Sequence, residues 1–413
     1  MIRAAAWSIF LLLFWGACAP AAAYDLKYRA EPQPRSGVIR MEIRLDGQPL
    51  PSRLVFRTDP RRHRAFESTD PLEIKDEQVT WSPRGMRATL RYEFVVDHER
   101  SPGRYDSRMT RDWAIFRGDR LVPPVAVTAP AGAISKATFE FALPSGWSAV
   151  TPYASTGETR FTFDNPERSF DRPAGWMLIG QFGSRNESIA GVRVVVAAPT
   201  GVNVRRQDAL AFLNWNLPRL LEVFPQFTKR LLVVSAGDPM WRGGLSGPAS
   251  VFVHASRPLI SENRTSTLLH ELVHVAMGIR GDHESDWIVE GFAEYYSIEI
   301  LHRSGGISRQ RYEEALKKLS EWGARAGTLF AESSSAARTA RAVIVLRAVD
   351  AEIRSSSAGR ASLDDVARDL AARRGEVSLE LLQSLAEKHA GRPVKSLERT
   401  RLLGAREIKP SGG

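Results

Sequence analysis

His270-Glu271-Leu272-Val273-His274 stands in the apolar stretch Thr267 to Met277, and a second stretch follows it closely: Trp287-Ile288-Val289-Glu290-Gly291-Phe292-Ala293-Glu294-Tyr295-Tyr296. Leu268, Leu269, Leu272, Val273 and Val275 around the histidines predict a buried helix. Residues at i and i+4 share a helix face, so both imidazoles can reach one ion. Glu271 is the next residue round and is placed to act as general base on a metal-held water. Gly281 to Asp286 reads as a turn, so the next helix runs back antiparallel and Glu290 can face the histidines. Two histidines and one glutamate leave a fourth position open, the pattern of a catalytic rather than a structural zinc, and one Zn2+ is expected. Glu294 lies one turn beyond Glu290. It can accept the outer N–H of a ligand histidine, and two like charges at i,i+4 are unfavourable without a cation nearby.

Outward from this pair, the chain divides into regions of different period. Residues 24–202 read as an all-β, sandwich-like domain. Its strands are short and alternate, among them Val38 to Leu45, Ala88 to Val96, Lys136 to Leu143 and Val192 to Ala197. Residues 203–330 read as an α/β layer passing into helices. Arg205 to Phe224 has helical spacing that Pro218 should kink or end. Leu231 to Ser235 is a buried strand, Gly243 to Pro248 a turn-rich loop and Val251 to Val253 an edge strand. Helices are expected over 262–279, 286–302, 308–325, 337–354, 362–373 and 377–391. Residues 331–413 form a C-terminal helical region.

The 413 residues carry 57 Lys and Arg against 47 Asp and Glu, a formal net charge of +10. No zinc finger, Walker A loop or RNA-binding motif accompanies that charge, so no nucleic-acid partner is expected. The arginines are scattered along the chain, so the charge reads first as a solvated basic surface, with association to an envelope or membrane surface as the sharper alternative. Residues 1–23 read as an export signal: Arg3, the apolar run Trp7 to Phe14, then Ala21-Ala22-Ala23. The expected location is periplasmic or secreted. The single cysteine, Cys18, lies inside that segment, and lipid anchoring through it is the lesser reading because Trp15 stands where an aliphatic residue is usual. With one cysteine there is no disulfide framework and no cysteine zinc site. Nothing in the sequence sets an oligomeric state. His63, His98, His302 and His389 are isolated and are expected on the surface or in packing.

HELVH followed by WIVEGFAEYY resembles the gluzincin metallopeptidases, and most of all the glycyl aminopeptidase family. The resemblance implies an N-terminal β domain joined to a thermolysin-like catalytic domain. It implies zinc on His270, His274 and Glu290, Glu271 as the base, and a peptide or protein substrate. It extends to Gly243-Gly244-Leu245, which in the family lies along the substrate, so Gly244, Leu245 and Ser250 are expected on a substrate-binding edge strand. Weaker likenesses are Leu363 to Val366 and Ala390 to Val394.

Three features depart from the family. Fifteen residues separate His274 from Glu290, against about eighteen in the aminopeptidase pattern. Ser246-Gly247-Pro248 stands where the family often carries an acid that grips the substrate's free amine. The tyrosine that stabilises the family's oxyanion has no counterpart in Ala336 to Arg341. His283, His254, Arg338 and Arg341 are the candidate replacements, with His283 first, and Tyr312 is expected to pack. Two functions are thus in view. One is an exported zinc metallopeptidase in which Glu271 activates a zinc-bound water. The other is a zinc-bearing peptide-binding or scaffold protein without efficient turnover.

Overall fold

The computed structural model describes residues 23–163 and 168–403. The export signal and Cys18 lie outside the described residues, but for Ala23. Among the described residues no helix is long and apolar enough to cross a membrane.

Three sheets build the first half. A seven-stranded sheet has Ala23–Gln33 near its middle, paired parallel with Ile134–Phe141 and antiparallel with Val38–Asp46. Strict alternation in Ala23–Gln33 turns Tyr24, Leu26, Tyr28 and Ala30 to one buried face. That face packs on Leu54, Phe56, Val79 and Trp81 of a four-stranded sheet. A third, five-stranded sheet contains Trp113–Arg117 and Trp176–Gly180. The second of these strands is buried at every residue, because both faces of the sheet are covered. Ala114, Phe116, Met177 and Ile179 complete the first core, while Ile115, Trp176 and Leu178 face a second one with Leu232, Val234 and Phe252. The β domain is therefore more than a two-layer sandwich: its third sheet is the floor on which the second half sits.

The second half is a five-stranded sheet and a cluster of helices. Strand order is Phe182–Ile189, Val192–Pro199, Arg230–Ala236, Ser250–His254, Gly244–Gly247. The middle three run parallel, and the last is an antiparallel edge. Several expectations are corrected here. The domain boundary at 202/203 cuts through this sheet, since the hairpin 182–199 belongs to it. The boundary at 330/331 has no physical counterpart either, because one apolar core runs from Ile189 to Leu402. Val251 to Val253 is an inner strand, and the supposed loop Gly243 to Pro248 contains the edge. Pro218 neither ends its helix nor sits in the core. Arg206–Val223 runs on past it, and Asn214, whose carbonyl loses its N–H partner to the proline, is exposed to water.

The helices fall close to their expected places: Thr267–Met277, Asp286–Arg303, Arg309–Gly323, Ala336–Ser356, Leu363–Arg373 and Leu379–Ala390. The first starts later than expected because the Ser266 hydroxyl caps it, accepting from Leu269 N–H. A short parallel pair, Ile279–Gly281 with Gly375–Val377, was not visible in the sequence.

Candidate metal centre

The helix Thr267–Met277 is fixed at both ends. Ser266 N–H donates to Ser297 Oγ, which donates back to Ser266 O, both bonds 3.1 Å and buried. This ties the start of the histidine helix to Asp286–Arg303, the helix that carries Glu290. At the other end Gly278 takes a left-handed cap at φ +58°. The chain then passes through Ile279–Gly281, held by its parallel partner, and a turn at 282–285 into the glutamate helix. Of the fifteen residues between His274 and Glu290 only three are strand, yet the connection brings Glu290 to the histidines.

His270 and His274 turn their Nε2 atoms to within 3.1 Å of each other. Glu290 brings Oε2 to 3.3 Å from His270 Nε2 and Oε1 to 3.5 Å from His274 Nε2. Among the described residues these three form a group whose donor atoms all lie within 4.8 Å of one another. Donors of a tetrahedral ion bound at about 2.1 Å stand roughly 3.4 Å apart, so the spacing fits zinc. The outer nitrogen of His270 meets Glu294 Oε2 at 3.0 Å, which leaves Nε2 for the ion.

The electrostatics point the same way. Burial works against a charge on His270, but Glu290 and Glu294 outweigh it and hold the ring well above its ordinary range. Burial and the neighbouring His270 push His274 below its range. The carboxylates of Glu290 and Glu294 thus set a negative potential at the imidazoles, which a bound cation would also meet. Glu271 is only 8% exposed. Burial pushes its carboxyl up to about 7, against the pull of His270 and of the Ser246 N–H and hydroxyl.

The edge strand lies across this carboxylate. A Cβ on Gly244 would come within 2.6 Å of Glu271 Oε1 and 2.7 Å of Thr267 Cγ2, so only glycine fits there. His254 N–H donates to Gly243 O, and Leu245 pairs with Phe252. Alternation then turns the backbone groups of Gly244 and Ser246 outward. Gly244 and Leu245 do lie on the edge. Ser250 does not: it starts the inner strand, is fully buried, and its hydroxyl accepts from Trp176 N–H and donates to Pro248 O.

None of the proposed oxyanion donors is hydrogen-bonded to the cluster among the described residues. His283 is exposed in the loop before the glutamate helix, with no hydrogen bond to the cluster among the described residues. Arg338 donates to Thr328 O, and Arg341 to Gly327, Arg401 and Leu403 carbonyls. His254 is buried with its Nε2 3.5 Å from Asp238. Tyr312 bonds Glu299 and stacks on His302. Of the isolated histidines, His63 is buried and bonds Arg120 O, while His98 and His389 pair with Asp106 and Asp369.

Three residues at the site escaped sequence reasoning. Ser246 contacts Glu271. Arg117, paired with Asp119, donates Nη1 to Ser246 O at 3.0 Å. Trp176 Nε1 donates to Leu245 O at 2.9 Å. Only the neighbouring Gly243-Gly244 carried a signal, a backbone that something approaches closely.

No protein-family profile matches this sequence, and no curated protein matches it. Among solved structures the chain is similar to an aminopeptidase N family protein from Idiomarina loihiensis, at 15% identity and a TM-score of 0.64. The match covers 90% of this chain and 72% of that one. The β-rich first part and helical second part are thus an aminopeptidase N-like multidomain fold.

Proposed function

We propose that this chain is an exported zinc-dependent metallopeptidase of gluzincin type. The observation that carries the reading is the convergence of His270, His274 and Glu290 beside a buried Glu271, with the edge strand Gly244–Gly247 across them. The shared fold with an aminopeptidase N family protein supports it. When bound, zinc supplies a Lewis acid that acidifies a water and polarises a carbonyl. The chain's own residues do the rest. His270 is oriented by Glu294. Glu271, buried beside the histidines, accepts a proton and returns it to the leaving amine nitrogen. The outward N–H and carbonyl of Gly244 offer one pair of strand hydrogen bonds to an extended peptide. Export rests on residues 1–23 and the basic surface suits envelope docking.

The second reading, a zinc-bearing peptide-binding protein, has its own observation. Among the described residues none of His283, His254, Arg338, Arg341 or Tyr312 makes a hydrogen bond into the cluster. Loss of one oxyanion donor costs about 100- to 1,000-fold in rate. The test is digestion of a broad peptide mixture by the zinc-loaded chain beside Glu271→Gln. Cleavage by the wild type that falls about 10²- to 10⁴-fold in the variant, with zinc retained, is expected. Zinc and peptide binding without any cleavage would favour the second reading instead.

A further inference from the structure

The edge strand Gly244–Gly247 has two faces. Gly244 and Ser246 face the histidine helix and Glu271. Alternation turns Leu245 to the other face, where it packs with Trp176 against the β domain. An extended chain laid along this edge sends its own side chains alternately to the two faces. One set meets the metal cluster. The other meets whatever lies beneath Leu245.

What lies there is a cavity of about 350 Å³ between Leu245, Trp176 and the β domain. Its wall is rich in guanidinium groups: Arg57, Arg62, Arg100 and Arg120, besides Arg117. Among the described residues, no carboxylate oxygen lies within 4.0 Å of the first four. Two acids of the same wall are spent: Asp59 pairs with Arg61 and Asp119 with Arg117. Asp106 is hydrogen-bonded to His98, so Asp106 and Glu77 are left without a Lys or Arg partner among the described residues. Four guanidinium groups without a carboxylate thus face two carboxylates without a guanidinium.

Arg62 makes the case stronger. It is 7% exposed, and its head donates only to Val95 O, Val96 O and Ser107 Oγ. Asp106, Asp59 and Asp97 attract it from a distance, yet burial still pulls the guanidinium down to about 10. Its guanidinium carbon also sits 4.5 Å from the centre of the Phe94 ring, but that contact supplies no formal negative charge, and a buried cation without an ion-pair partner favours an anion. An ammonium group placed here would meet more guanidinium groups than free carboxylates.

We infer that this cavity is a recognition subsite for a carboxylate side chain of an extended peptide paired to the edge strand. This rests on the peptidase reading for its substrate, and deepens it: the preferred peptides are acidic on the side that faces the β domain. Arg57 and Arg120 at the exposed rim select the charge, and Arg62 at the wall holds it.

The test uses hexapeptides in which one Glu is moved through alanine, with matched Gln and Lys sets. Binding is titrated by calorimetry to the full chain carrying Glu271→Gln, so that no turnover intervenes. At least one Glu position should bind about tenfold tighter than its Gln match and tighter still than Lys. Arg57→Glu with Arg120→Glu, both exposed and so harmless to folding, should erase that advantage. Equal binding of the three sets, binding of none, or an advantage that survives the double variant would overturn the assignment. Cleavage of the same peptides by the wild-type chain separates the two claims. Cleavage without acidic preference contradicts the cavity alone, whereas acid-selective binding without cleavage leaves the cavity standing and contradicts the peptidase reading.

Discussion

In the helical half, His270, His274 and Glu290 come from two consecutive helices, and the chain brings them together with one braced turn. In the β half, Arg117 and Trp176 reach the edge strand from 129 and 69 residues away in sequence. The first set addresses the chemistry and the second addresses the strand on which a substrate would lie. The difference teaches that local periodicity can assemble an ion site, whereas the surface beside it depends on how three sheets stack. Gly175 shows how tight that stacking is. It has φ +79°, and a Cβ there would lie 2.4 Å from Pro248 O and 2.6 Å from Ser250 Oγ.

The contrast can be broken or sharpened by substitution. Gly244→Ala touches the point where the halves meet. Its methyl must displace Glu271, and a shift of about 1 Å in a reacting group can cost about 100-fold in rate. We expect that loss in kcat with zinc content unchanged; unchanged kcat would mean the carboxylate is not held by the strand. Glu294→Ala lies wholly in the helical half. It frees His270 Nδ1 and should weaken zinc affinity by about 10- to 100-fold, read by competition with a chelating dye.

Arg117→Ala belongs to the β half. It strips Ser246 O and leaves Asp119 without its cation. A stability loss of about 1–3 kcal/mol is expected in urea unfolding, with KM raised more than kcat is lowered. A fall in zinc affinity would show that the halves are not separable in this way.

Asp171→Asn gives the smallest effect and should not reach the metal. Burial pushes the Asp171 carboxyl up to about 6, against the pull of Arg168 and a backbone hydrogen bond. The folded chain therefore binds this proton more tightly than the unfolded chain does. The stabilisation is complete below about pH 4 and is lost as pH rises through 6. The variant stays neutral, so its stability relative to wild type should rise by about 1–3 kcal/mol between pH 4 and 7. A flat difference across that range would contradict the shift.

The legible parts of the molecule were those written in short-range pattern. The helix pair was visible because apolar residues recur at helical spacing around HELVH and WIVEGFAEYY, and because i,i+4 geometry is a local property. The β character of the first half was visible from alternation in stretches such as Val38 to Leu45. Sheet membership was not. Val192 to Ala197 alternates as any strand would, and only its parallel pairing with Arg230–Ala236 assigns it to the second half. The edge was misplaced for the same reason. Gly244–Gly247 is short and glycine-rich, so propensity reads it as a loop, and Val251 to Val253 looks more strand-like than the true edge. Pro218 stayed inside its helix because the carbonyl it orphans faces water. Ser246 and the Arg117 contact carry no sequence signal, since nothing local marks which serine meets a carboxylate.

The central claim is that His270, His274 and Glu290 hold one zinc ion. Its most direct test is metal content by mass spectrometry of the purified chain after zinc loading and dialysis, beside Glu290→Ala. One zinc per wild-type chain, lost or strongly weakened in the variant while the fold is kept, is the predicted result. A wild-type chain that holds no zinc, or a variant that holds it as tightly, would contradict the account.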